Sequence, residues 1–243
     1  IYTMGLLNEE QIERIIRYAA SQERLKLAVL LPDNQSGINM FKAAMNAAQL
    51  HGATIVKVGF YAPNSMDFTK LAAQITGSAR VAASQRKPQT KESTEETTEE
   101  ERAPLDFDAL LVPEFGNRLK AITSMFSYYD VSAPEVLFLG TSVWGNTNLS
   151  KETELYGAVY PVMSMSRLTH YKQKYYEMFG QKSNDLSIFA YDAVALSSAL
   201  SLKDKNYLPE AITSLDGFYG LSGAFRIFNN GKNEHGLDIV KVS

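Results

Sequence analysis

The sequence predicts an α/β chain built from parallel sheets flanked by helices, and three observations predict it. Short, nearly continuous apolar runs such as Leu25–Leu31, 107-FDALLVPE-114 and 135-EVLFLG-140 have the composition of strands buried on both faces. Between them lie longer segments whose apolar residues return every three or four positions, the spacing of one helix face. The two kinds of segment alternate, and sustained β-α alternation leads to a parallel sheet covered by helices.

Each element follows from local chemistry. Asn8 can cap a helix, Glu9 and Glu10 suit its first turn, and Ile12, Ile15, Ile16 and Ala19 form its apolar face. Leu25 to Leu31 is the first strand, closed by Pro32. Phe41, Ala44, Met45 and Ala48 then mark a helix face, His51-Gly52 stops that helix, and ATIVKVGFYAP is a second strand. Phe68, Leu71, Ala72 and Ile75 mark a third helix. Residues 86–104, RKPQTKESTEETTEEERAP, contain no large apolar side chain and read as a flexible acidic insertion, because they cannot bury enough surface to offset their ordering entropy.

Order returns with the strand at 107–114, a helix over Leu119, Ile122, Met125 and Phe126, and the strand at 135–140. A short strand, 157-GAVYPV-162, precedes a Tyr- and Lys-rich helix from Ser166 to Phe179. Ser187 to Leu202 is a further helix with Phe189, Ala193, Leu196 and Leu200 as its apolar positions. Two strand-like runs, GAFRIF and LDIVKV, finish the chain, joined by the turn NNGKN.

Composition excludes several functions. A net charge of −3, with Lys and Arg scattered, offers no basic field for nucleic acid. No apolar run approaches the roughly 20 residues that span a bilayer, and the start, IYTMGLLNEEQIERI, has no signal-peptide pattern, so it reads as processed or truncated. The absence of cysteine rules out disulfides, thiolate metal sites and a Cys nucleophile. His51, His170 and His235 show no metal-ligand spacing. The turn 32-PDNQSG-37 has one glycine and no following Lys-Ser/Thr, against a phosphate loop, and no G-x-S-x-G elbow occurs. Neither a cofactor nor an enzymatic activity is expected.

What remains is a set of loops that each follow a strand and therefore share one edge of a parallel sheet. They carry Asn34 and Ser36, Tyr61, Glu114 and Phe115, and Ser142 and Trp144. Aromatic walls with hydrogen-bonding groups compose a binding cleft. The same aromatics could equally seal the sheet edge, and both readings stand at this level.

The ordered stretches 25-LKLAVLLPDNQSG-37, 107-FDALLVPEFGN-117, 136-VLFLGTSVW-144, 157-GAVYP-161, 189-FAYDAVALSSAL-200 and 220-GLSGAFRIFNNGKNEHGLDIVKV-242 resemble the type I periplasmic binding proteins of the Leu/Ile/Val-binding group. Within it they look most like the penicillin-binding protein activators. The resemblance covers essentially the whole chain. It implies two α/β lobes that close on a ligand by hinge motion, with residues 1–156 as the second lobe and 157–243 returning to a partial first lobe and the hinge.

It further implies an N-terminally truncated chain from the bacterial periplasm, with a lipoprotein anchor as its only tie to a membrane. The implied role is binding of a small polar ligand in an interlobe cleft, as in amino-acid ABC uptake or sensing. The implied partners are an ABC permease or a peptidoglycan synthase, the latter docked without a small ligand, and a further copy of the chain through the incomplete lobe. The resemblance also marks two departures. Ser36 stands where amino-acid binders of the family usually place a stacking aromatic, and Thr141-Ser142 stand where they often place a carboxylate for the ligand's ammonium.

Overall fold

In the computed structural model, which describes residues 1–77, 104–203 and 209–243, the first apolar run becomes strand β1 (Lys26–Pro32) with Leu27 to Leu31 all buried. Consecutive burial of both sets of side chains requires cover on both faces of the sheet. β2 (Thr54–Tyr61) and β3 (Ala109–Leu111) flank β1 in parallel, β4 (Leu137–Leu139) pairs with β3, and β5 (Val159–Met163) pairs with β4. With β9 (Leu237–Lys241) the order across this sheet is β2-β1-β3-β4-β5-β9. The predicted α/β class is therefore the observed one. β3 and β4 are shorter than their apolar runs, although inter-strand bonding reaches one residue further, from the Val112 N–H to the Leu139 carbonyl at 2.9 Å and from the Gly140 N–H to the Val159 carbonyl at 2.8 Å. The stretch expected to be a flexible insertion, 86–104, lies outside the described residues except for Pro104.

The chain divides into two compact units, one comprising Ile1–Gln11 and Pro161–Ile239 (unit 1) and the other Ile12–Tyr160 and Val240–Ser243 (unit 2). The backbone passes from one to the other within α1 (Asn8–Ser21), β5 and β9.

In unit 2, Ile12, Ile15, Ile16 and Ala19 of α1 are fully buried, as their spacing predicts. α3 (Thr69–Thr76) buries Leu71, Ala72 and Ile75, and α4 (Gly116–Tyr128) buries Leu119, Ile122 and Phe126. These join Leu30, Leu110 and Phe138 of the strands in one core. α2 (Gln35–Leu50) departs from expectation. Its buried face is Gly37, Ala43, Ala44, Ala47 and Ala48, while Met45 is 52% exposed. The cause is the closeness of the helix to its strand: a Cβ on Gly37 would collide with the Pro32 carbonyl. Only methyl-sized side chains fit under a helix seated so near, and larger ones turn outward. Phe41 is half-buried and meets Phe60 of β2 edge to face, ring centroids 6.0 Å apart.

Unit 1 carries α5 (Met165–Phe179), α6 (Asp185–Lys203), α7 (Pro209–Ile212) and an antiparallel sheet of β6 (Phe218–Gly220), β7 (Gly223–Ile227) and β8 (Asn233–His235). The turn NNGKN joins β7 to β8, with Phe225 opposite His235, so GAFRIF does not form a hairpin with LDIVKV. A tight turn pairs what immediately follows it, and Gly236 then separates β8 from β9, which runs in the larger sheet. The buried carboxylate of Asp192 on α6 fastens the β6–β7 turn. It accepts the Leu221 N–H at 2.7 Å, the Ser222 N–H at 2.8 Å and the Ser222 hydroxyl at 2.6 Å. Glu10 ties α1 to β8 by accepting the Leu7 N–H at 2.8 Å and the His235 N–H at 2.9 Å.

Replacing Gly37 by Ala should destabilise the protein by about 1–3 kcal/mol through overpacking against Pro32, whereas Met45→Ala on the outer face should stay within about 0.5 kcal/mol. Chemical denaturation of the two variants beside the parent checks this; equal effects would refute the close seating of α2.

Candidate ligand-binding edge of unit 2

Parallel pairing places Pro32, Tyr61, Leu111 and Leu139 at the carboxyl ends of four neighbouring strands, so the loops after them open on one edge. The β1–α2 turn is set by Asn34, whose extended backbone (φ −155°) and side-chain oxygen cap α2, accepting the Gly37 N–H at 3.0 Å. Ser36, in the first turn of α2, is exposed. Asp33, also exposed, uses its N–H to bond the Tyr61 carbonyl at 2.7 Å and so joins the ends of β1 and β2.

The β3–α4 loop is built around Glu114, which is only 3% exposed. Its oxygens take four donors. Tyr61 donates its hydroxyl to Oε1 at 3.0 Å, and the Phe115 N–H reaches Oε2 at 3.3 Å. Arg118 forks onto both oxygens, Nη2 to Oε1 at 3.0 Å and Nε to Oε2 at 3.2 Å. Such a fork is the strongest arrangement between these two groups. Burial, then the charge of Glu114 and its hydrogen bond, push the Tyr61 hydroxyl far above its ordinary range, although the Arg118 charge opposes this. Phe115, the N-terminal cap residue of α4, is 56% exposed and stands out from this network. The first N–H of α4, that of Gly116, donates to the Thr147 hydroxyl at 2.9 Å.

After β4 the chain enters a 3-10 turn, Ser142–Asn146. Trp144 lies completely buried within it, donates its indole N–H to the Val112 carbonyl at 3.0 Å and packs so tightly on Gly140 that a Cβ there would enter the ring. Tyr160 lies against it with ring centroids 6.0 Å apart. Ser142 is half-buried in the same turn.

All seven residues selected from sequence thus sit on this edge, in two roles. Asn34, Ser36, Ser142 and Phe115 reach its surface, while Tyr61, Glu114 and Trp144 lie beneath and shape it. Sequence reading missed Arg118 and Thr147. The Glu114–Arg118 spacing of four at a helix start was the available signal for the first; nothing local signals the second. Among the described residues no three His, Asp or Glu side chains gather to hold a metal, and no helix is long and apolar enough to cross a membrane.

No family model and no curated protein sequence matches the chain. Solved structures do. A leucine binding protein from Thermotoga maritima superposes with a TM-score of 0.66 at 13% identity, covering 100% of this chain and 64% of that one. A branched-chain amino acid ABC transporter periplasmic ligand-binding protein from Burkholderia xenovorans gives 0.70 at 12%, covering 98% and 59%. An ABC transporter solute binding protein from R. palustris, in complex with benzoate, gives 0.62 at 10%, covering 97% and 60%. The chain therefore has the type I periplasmic binding protein fold and spans about three fifths of the length of these structures. Identities this low establish the fold alone.

Tyr61→Phe should cost about 1–2 kcal/mol, since it removes one donor from a buried carboxylate. The raised Tyr61 hydroxyl also sets a pH dependence. Its contribution is complete below about pH 10, the unfolded value, and is lost as pH rises further, because the unfolded chain ionises there and the folded one does not. Alkaline unfolding curves of parent and variant check the sign: the variant should lose less stability above that pH.

Proposed function

We propose that the chain is the ligand-binding part of a non-enzymatic bacterial periplasmic solute-binding protein, and that the strand-end edge of unit 2 meets a small polar ligand. The observation that carries this reading is the convergence of four loops on one edge, with Ser36 exposed in the first turn of α2 and Phe115 exposed at the cap of α4. Exposed hydrogen-bonding and aromatic groups on one edge suit a small solute better than a chemical reaction, which would require an uncommitted base or nucleophile. The benzoate and branched-chain amino acid binders that share the fold support the same class of role, working with an ABC permease.

A second reading has a specific observation behind it. Ser36 and Thr141-Ser142 are neither aromatic nor anionic, and Glu114 is committed internally, so these positions do not supply the stacking aromatic and free carboxylate that the resemblance associates with amino-acid binders. A regulator of a peptidoglycan synthase, held near the membrane by a lipid anchor and docking without a small ligand, would keep the fold and dispense with them.

Unit 1 also exposes Tyr176, Met178 and Phe179 of α5 and Leu186, Tyr191 and Val194 of α6. Apolar side chains at this density mark a surface for association. The isolated chain should self-associate through it.

Thermal-shift measurements against amino acids, aromatic acids, sugars and peptidoglycan fragments test the first reading. A ligand held only by the folded state at about 100 times its Kd adds about 2.7 kcal/mol of stability and raises Tm. No shift with any solute, together with binding of a synthase, would replace solute binding with docking. Light scattering tests the association: a monodisperse monomer of 243 residues would refute it.

A further inference from the structure

The proposed solute-binding role leaves open which chemical group the edge of unit 2 receives, and the disposition of its charges narrows this. A ligand ammonium taken out of water is answered most strongly by a carboxylate that is itself free, and less strongly by neutral acceptors or an aromatic face. Glu114 is the only buried carboxylate on this edge among the described residues, and all its capacity is spent on Tyr61, Phe115 and both arms of Arg118. Asp67, in the β2–α3 loop, accepts the Thr69 N–H at 3.0 Å; that bond holds its carboxyl below the usual carboxylate range, and the group is wholly solvated. Asp33 is exposed, and an ion pair formed in full contact with water selects weakly. The loop after β4, Gly140 to Asn146, contains no acid. Arg118 commits its Nε and Nη2 groups to Glu114 and its side chain is 29% exposed, so among the described residues the edge offers no buried, unpaired charge of either sign.

We infer that the ligand group received by the edge of unit 2 carries no positive charge, and that Arg118 is the positioning residue that makes this so by holding Glu114 away from the ligand. An acid without an amino group, or an uncharged polar solute, fits; an α-amino acid whose ammonium points at this unit does not. What these loops expose instead is the Phe115 ring at the start of α4 and Ser36 in the first turn of α2.

The experiment pairs probes that differ only in the ammonium: L-leucine against 4-methylpentanoate, and L-phenylalanine against 3-phenylpropanoate, titrated calorimetrically into the whole chain. The expected result is that the des-amino member of each pair binds at least about tenfold tighter, because the ammonium is desolvated without compensation. Arg118→Met should shrink or reverse that preference by releasing Glu114, and Arg118→Lys, which keeps the charge, should retain most of it. In nitrogen-resolved NMR, the Arg118 Nε–H signal of the parent should stay unchanged when the des-amino acid is added.

Tighter binding of the amino acids, a preference removed by Asp33→Asn or Glu114→Gln, or a shift of the Arg118 signal on adding ligand would each overturn the inference while leaving solute binding intact. Binding of neither member of either pair, nor of any sugar or other neutral solute, would instead remove the solute-binding reading, and this inference with it.

Discussion

Glu114 is a carboxylate held almost entirely out of water, and a buried anion must be answered in full by donors. The answer here ties together parts of the chain that are far apart in sequence. Tyr61 ends β2, Glu114 and Phe115 follow β3, and Arg118 lies in the first turn of α4. One oxygen pair therefore fixes the spacing of two strand ends and the angle at which α4 begins. Phe115 can stand exposed at the cap because its own N–H is held from behind. A network of this kind is rigid only while every member is satisfied, which makes the edge a single unit rather than a set of separate loops.

Beside it, two glycines set how closely backbone and side chain approach. Gly37 lets α2 sit against the end of β1, and this closeness selects the alanine face of the helix. Gly140 leaves room for the Trp144 ring, which closes the end of β4 and hands its N–H to the carbonyl of Val112 beside β3. Trp144, for which the sequence allows either a cleft wall or a seal on the sheet edge, is completely buried against Gly140 and Tyr160.

The type I periplasmic binding fold carries many ligands on one scaffold, and the strand-end loops decide which. In this chain those loops combine a fully neutralised carboxylate, an exposed aromatic and small hydroxyls. Unit 1 presents a different chemistry: Asp192 and Glu10 are spent on fastening turns and strands, and Tyr176, Met178 and Phe179 at the end of α5 and Leu186, Tyr191 and Val194 of α6 are exposed among polar neighbours.

Much of this was legible in the sequence because it depends on periodicity. Continuous apolar runs between amphipathic segments specify buried strands and covering helices wherever the rest of the chain lies, and the loops that follow parallel strands necessarily share an edge. Ile12, Ile15 and Ile16 or Leu119, Ile122 and Phe126 needed no partner to be recognised as core. What the sequence could not contain is distance between remote residues. That Glu114 meets Arg118, that Trp144 is buried, whether Met45 or Ala47 turns inward, and whether LDIVKV pairs with its neighbour in sequence or joins another sheet were all decided by packing. In each case the side chain has the same local propensity either way, and only the space and the donors supplied by other segments choose between them.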